Sequence, residues 1–339
     1  MFADFISTNI AGYKATNIIT IRVLVLQMNE LSLMNIEELN KEFSIDNKKS
    51  HLYFKEGDGG IPIVEISNAK ASARISLQGA HVLSWKPCDE DEVIWLSEEA
   101  TFSKGKSVRG GIPICWPWFG AHESNPLFPA HGFARTVIWQ VVDTQYLSTN
   151  ETQIIFRLDI NELDEKYKAM WPLETGLEYC LTIGKELILQ LTTSNNSDEV
   201  LTVGQALHTY FSIGDISNTS IYGLEDKTYL DKVEGFNSKI QSGFITINEE
   251  VDRVYLDTVD DVTIDNKKRK IRIKKKGSSS TVVWNPWEEV ANKMGDLGEN
   301  GYRKMVCVES ANAMSDVVEI KPHEKFSLSV TYEIESKTS

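Results

Sequence analysis

The 339-residue sequence predicts an all-β protein, a large antiparallel β-sandwich with few short helices. Short runs rich in β-branched and aromatic residues recur from residue 61 to residue 332, each bounded by turn residues. No helix of ten or more residues is expected between them, as a parallel sheet with crossover helices would require. Hydrophobic residues form 41% and charged residues 25% of the chain, enough apolar material to bury a core without disulfides or a structural metal.

The first expected element is a helix. Leu33, Ile36, Leu39 and Phe43 recur at helical spacing between Ser32 and Phe43, with polar residues between them. Strands are expected next at Ile61–Ile66, His81–Trp85, Glu92–Leu96, Val137–Val142 and Gln153–Leu158. Further strands are expected at Gly176–Ile183, Glu186–Thr193, Leu201–Leu207, Thr281–Trp284, Met305–Glu309 and Phe326–Tyr332. Gly184-Lys185 reads as a hairpin turn, and Asn195–Asp198 as another. The basic run Lys267–Lys276 looks at first like a nucleic-acid patch, but Ile271 and Ile273 alternate within it. That alternation suggests a hairpin whose solvated edge strand carries lysines to deter aggregation. No linker rich in Pro, Gly or Ser divides the chain, so residues 51–339 are expected to form one domain. Residues 1–50 are expected to be an N-terminal extension bearing the short helix. Its first 27 residues are expected to be non-essential, since Met28 opens a more ordinary start.

Acidic side chains number 49 against 35 basic ones, a net charge of −14, which argues against an obligate partner among nucleic acids or anionic membranes. The apolar stretch Asn17–Leu26 is interrupted by Arg22 and too short to span a bilayer, and no cleavage site follows it. Cys88, Cys115, Cys180 and Cys307 are scattered, with no CxxC pair, and fit free thiols in a reducing cytoplasm. Six histidines include no HxH or HExxH pair, so neither a metal nor another cofactor is expected.

His208 ends a strand and is followed by aromatics in Leu207-His-Thr-Tyr-Phe211, which could tune its pKa; a satisfied structural histidine is the alternative. Glu309 alternates with Cys307 and Met305 on a face expected to be apolar, where a carboxylate is costly unless paired or functional. The alternative is a rim glutamate at the strand's solvated end. Arg109 precedes Gly110-Gly111, and Arg135 ends His131-Gly-Phe-Ala-Arg135. Glycine admits close backbone approach and guanidinium matches phosphate oxygens, so the two arginines suggest an anion site, with surface ion pairs as the alternative. Trp116, Trp118, Trp284 and Trp287 could face a sugar ring or fill the core. Asp252 could accept hydrogen bonds from sugar hydroxyls, or be an exposed loop carboxylate.

Six segments in order resemble the galactose-mutarotase-like family, and within it the hexose-6-phosphate mutarotases. They are Gln78–Trp85, Val108–Gly120, His131–Arg135, Leu207–Phe211, Val283–Trp287 and Val306–Glu309, within a similarity covering roughly residues 60–335. The resemblance implies a large antiparallel β-sandwich, His208 as general acid and Glu309 as general base. It further implies that Arg109 and Arg135 hold a sugar phosphate, that Asp252 binds sugar hydroxyls and that His131 belongs to the substrate site. Relatives often carry glutamine where this chain has Ala130, which removes one polar contact worth about 0.5–1.5 kcal/mol. The implied reaction interconverts the α and β anomers of a hexose 6-phosphate, most simply D-glucose 6-phosphate, by acid–base ring opening and reclosure.

Three other readings compete. A non-catalytic carbohydrate-binding module would need no acid–base pair. A metal-dependent cupin-type isomerase would need the missing HxH pair. An epimerase of free aldoses would not need two arginines converging on one anion. The partner expected is a small sugar phosphate, and a monomer is compatible with the sequence.

Overall fold

The computed structural model describes residues 34–336, and the segment 1–27 lies outside the described residues. The larger compact unit begins at Ile36. Its first element is the helix Ile36–Phe43, α1, which opens on Glu37 and Glu38 and closes with Lys41, charges that complement the helix dipole. Leu39 and Phe43 are buried beneath it. The Asn40 amide both donates to the Phe54 carbonyl and accepts from the Phe54 N–H, each at 2.7 Å, which ties the helix to the strand Ser50–Glu56. The helix thus belongs to the same unit as the strands, and the boundary expected at residue 50 falls at the hairpin joining Ile45–Asn47 to Ser50–Glu56.

Antiparallel ladders dominate, as expected. The first sheet has five strands in chain order, from Ile45–Asn47 to His81–Pro87. A second sheet has eight, in the order Ser220–Tyr222, Val262–Asp265, Arg269–Lys276, Lys325–Ser336, Leu187–Asn195, Thr175–Ile183, Thr152–Asp159 and Gln140–Tyr146. A third, the site sheet, also has eight, seven of them in its main order. Its central strands are Val251–Tyr255, Ser280–Asn285, Met305–Asn312 and Gln205–Leu207, and Tyr210–Ser212 pairs with Met305–Asn312 as well. Alternation decides what each strand buries: Leu187, Leu189 and Leu191 lie inside with Leu328, Val330 and Tyr332 of the neighbouring strand. Phe211 meets Tyr332 edge-on at 5.1 Å, so the second sheet packs behind the site sheet.

Five expectations change in detail. The basic strand Arg269–Lys276 is internal, hydrogen-bonded to Val262–Asp265 on one side and Lys325–Ser336 on the other. Its cations are matched by the neighbouring strand, Arg272 by Glu335 and Lys274 by Glu333, while Lys275 is enclosed by Thr258, Thr281 and the Ser280 carbonyl. Leu201–Leu207 is not one strand, because Gly204 ends Leu201–Val203, paired with Val318–Ile320, before Gln205–Leu207 enters the site sheet. Asn195–Asp198 accordingly changes sheets instead of turning a hairpin. Glu92–Leu96 makes only isolated bridges through Ile94 and Leu96, and the Val137–Val142 run becomes regular only from Gln140.

Two glycines fix the loops that approach the site. A Cβ on Gly111 would lie 2.2 Å from His81 Nε2, and one on Gly132 would lie 1.9 Å from the Trp116 carbonyl oxygen, both at positive φ. Replacing Gly132 by alanine combines a left-handed backbone with a backbone clash. Gly132→Ala is expected to cost at least about 1–3 kcal/mol, read from urea unfolding; an unchanged midpoint would contradict this packing.

Candidate active site

The site is built across the strands that follow one another in the site sheet. Asp252 lies opposite Trp284, Trp284 opposite Cys307 and Cys307 opposite Tyr210, and in the next row Val282 lies opposite Glu309. Of these, Asp252, Trp284, Tyr210, Val282 and Glu309 line a cavity of about 260 Å³. The Met305–Asn312 strand is buried throughout, so Glu309, at 1% exposure, is a carboxyl in the middle of a sheet and not at its rim. Asp252 likewise stands on a strand, not in a loop, and is held by Lys232 at 2.7 Å.

A break in the adjoining strand supplies Glu309 with a partner. Leu207 pairs with Ser310 and Tyr210 with Cys307, which leaves His208 and Thr209 between two ladder segments on the same neighbour. The His208 N–H donates to the Pro113 carbonyl at 3.1 Å, and its ring enters the cavity with Nε2 3.2 Å from Glu309 Oε1. Thr209 turns the other way to bond the Tyr332 hydroxyl. The imidazole stacks on Tyr210 at 5.0 Å and meets Trp284 and His131 edge-on.

The recurring sequence segments bring in the cations. Buried Gln78 donates to the Ser103 and Lys106 carbonyls and accepts from Gly105, and His81 Nε2 lies 2.9 Å from the Gly110 carbonyl. Together they pin the loop that delivers Arg109. Arg135 is delivered by a second fold-back, in which the Phe133 N–H bonds the Trp116 carbonyl and the His131 N–H bonds Gly120. Arg109, Arg135, His131, His208, Asp252 and Glu309 therefore all line one cavity. Lys232 and Asp296 line it too and were missed in the sequence, where each stands among other charged surface-type residues with no local pattern to mark it.

Burial sets the protonation. It raises the Glu309 carboxyl well above its ordinary range, aided by the negative Asp252 and opposed by Lys232 and Arg135. Burial lowers His208 well below 6.5, and His131, Arg135 and Arg109 act in the same direction. His131 is pushed down to about 3 by burial and the three cations. Burial thus favours an uncharged imidazole and carboxylic acid, where the resemblance implies a general acid and a general base. His208, Cys307 and Glu309 place ligand atoms within 4.8 Å of one another, and burial and Glu309 hold the Cys307 thiol well above its ordinary pKa.

The family model described as aldose 1-epimerase matches residues 62–333. The chain belongs to the aldose 1-epimerase family. Among aldose 1-epimerase relatives, an Escherichia coli (strain K12) protein named "Putative glucose-6-phosphate 1-epimerase" is 35% identical over 256 residues, 75% of this chain and 84% of that protein. A Cenchrus ciliaris protein of the same name is 35% identical over 262 residues, 75% of this chain and 78% of that one. A crystal structure titled "putative mutarotase" from Salmonella typhimurium superposes with a TM-score of 0.77 at 29% identity, covering 89% of this chain and 99% of its own. The family membership assigns a sugar epimerase or mutarotase type of chemistry to the fold, and the large antiparallel architecture agrees with it.

The buried imidazoles make stability depend on pH. In an unfolded chain they titrate near 6.5, whereas folded His81 is lowered to about 4 and His131 to about 3. Between these values the unfolded histidines bind more protons, so their contribution to stability is full above about 6.5 and falls as the pH is lowered toward 4, while the raised Glu309 acts in the opposite sense. His131→Asn, which tolerates the positive φ of 64° at this position, should make that fall shallower in urea unfolding at a series of pH values. An equally steep fall would contradict a buried, neutral His131.

Proposed function

We propose that this protein interconverts the α and β anomers of hexose 6-phosphates, with D-glucose 6-phosphate as the simplest substrate. The observation that carries the reading is the 3.2 Å approach of His208 Nε2 to Glu309 Oε1 on the wall of a cavity that also holds Arg109, Arg135 and Lys232. A proton donor and acceptor at one end of a polar cavity, with cations around it, suit a sugar that reacts at C1 and carries its charge on C6.

Ring opening needs two proton movements. Glu309, as carboxylate, takes the proton from the C1 hydroxyl, and His208, as imidazolium, gives one to the ring oxygen. The C1–O5 bond breaks and a C1 carbonyl forms, leaving a carboxylic acid and a neutral imidazole. Rotation about C1–C2 presents the other carbonyl face, and closure returns both protons. The charged and the neutral pair hold the same number of protons, so no proton is exchanged with water in the cycle. Burial disfavours both charges and so favours the neutral pair that exists when the ring is open, while the closed ring calls for the charged pair. The substrate phosphate would offset that bias on binding, since a nearby anion favours the imidazolium.

The reading also sets selectivity. A guanidinium in a partly enclosed cavity is left short of an acceptor by free glucose, which has no anion to offer. Asp252, beside Lys232, is placed to receive sugar hydroxyls. The partner class is therefore a small phosphorylated hexose.

The test is NMR exchange spectroscopy between the two anomers of glucose 6-phosphate. Glu309→Gln and His208→Asn should each reduce the enzyme-catalysed exchange rate by about 10²–10⁴-fold while circular dichroism remains that of the wild type. Retention of most of the rate in a folded Glu309→Gln enzyme would refute the assigned base. Saturable binding of the sugar phosphate with no acceleration by the wild type would favour a binding module instead.

A further inference from the structure

The three cations of the cavity are not equivalent. Lys232 is held by Asp252 at 2.7 Å. Arg109 donates from Nε to Asp296 Oδ1 and from a terminal nitrogen to the Tyr210 hydroxyl, each at 3.0 Å. Arg135 has no carboxylate partner among the described residues: one terminal nitrogen donates to the Ala130 carbonyl at 2.8 Å, and its buried Nε has no hydrogen-bond partner. An anion entering the cavity meets an open guanidinium at Arg135. To take Arg109 it would have to compete with an existing, partly buried ion pair.

The second contact of Arg109 gives it a different task. Tyr210 is sandwiched between Trp95, at 5.9 Å and 23°, and His208, at 5.0 Å and 15°. Its hydroxyl is the polar end of that three-ring stack, and Arg109 grips it. Asp296 is itself fixed by the fold. It follows Gly295, the left-handed cap at φ 73° of the helix Trp287–Met294, and precedes Leu297, which is buried in one cluster with Trp95, Tyr210 and Tyr302. Asp296, Arg109, Tyr210 and His208 thus form a continuous path of contacts ending on the ring that faces Glu309.

We infer that Asp296 is a positioning residue, holding Arg109 on Tyr210 and thereby the imidazole of His208 in plane for Glu309, while Arg135 takes the substrate's anionic group. The inference rests on the mutarotase reading of the site and divides between two arginines a role that sequence reasoning gives to both. Asp296 touches neither sugar nor phosphate in this scheme, and its effect reaches the chemistry only through Arg109 and Tyr210.

The test compares full-length wild type, Asp296→Asn, Asp296→Glu and Arg135→Gln, by anomer exchange of glucose 6-phosphate and by NMR of the histidine rings. The His208 signals are assigned by their loss in His208→Asn. Asp296→Asn should lower kcat by about tenfold with KM within about threefold, and should shift the His208 ring signals in the absence of any sugar. Asp296→Glu should restore much of both. Arg135→Gln should raise KM by about tenfold or more and leave the His208 signals in place. A fall in KM at unchanged kcat in Asp296→Asn would overturn the inference, since Asp296 would then merely compete with the substrate for Arg109. Unmoved His208 signals in Asp296→Asn would overturn it as well. If the wild type accelerates no exchange, the mutarotase reading fails, and the ring signals still decide whether Asp296 sets His208.

Discussion

A carboxyl group placed in the middle of a fully buried strand is costly, and the architecture around Glu309 is organised by that cost. The Met305–Asn312 strand is flanked by Ser280–Asn285 on one side and by Gln205–Leu207 and Tyr210–Ser212 on the other, and Glu309 is buried between them on the wall of the cavity. In such a place a lone carboxylate would be held neutral or would need a partner of opposite charge. The break at His208 and Thr209 sets an imidazole beside it by turning one residue into the cavity and the next toward Tyr332 of the second sheet, and burial favours the neutral form of both groups. Removing either strand from its place would leave the pair without its geometry.

The same low-dielectric setting ties binding to chemistry. Burial biases Glu309 and His208 toward their neutral forms, and in the proposed mechanism ring opening converts a charged pair into a neutral one. An anionic substrate that stabilises imidazolium on entry would arm the pair, whereas an uncharged sugar would not. The cations therefore serve more than affinity. Their carboxylate partners matter as well: with Arg109 on Asp296 and Lys232 on Asp252, the cavity avoids the self-repulsion of three unneutralised cations.

Much of this was legible in the residues. Alternation in Gln153–Leu158 and Phe326–Tyr332 announced strands with one buried face, and Glu309 stood out because it broke an apolar face shared with Cys307 and Met305. Pairing partners were not legible, since register depends on contacts far apart in sequence. That is why Arg269–Lys276 reads as a solvated edge until Glu333 and Glu335 are seen beside it. Gly204 hid a change of sheet inside an unbroken apolar run, and Asp252 looked like a loop residue because its strand is short. Lys232 and Asp296 carry no local signal at all: each is recognised only through the residue it pairs with, 20 positions away for Lys232 and 187 for Asp296. The charge state of the central pair was also beyond sequence, because it is set by how completely the two groups are enclosed.

The central claim is that the His208–Glu309 pair opens the ring of a hexose whose anionic group is held in the same cavity. It is tested most directly by magnetisation transfer between the anomers of glucose 6-phosphate and of free glucose, each with the unmodified protein at equal sugar concentration. The account predicts exchange well above the spontaneous rate for the phosphate and little or none for glucose. Equal acceleration of both sugars, or of glucose alone, would contradict it.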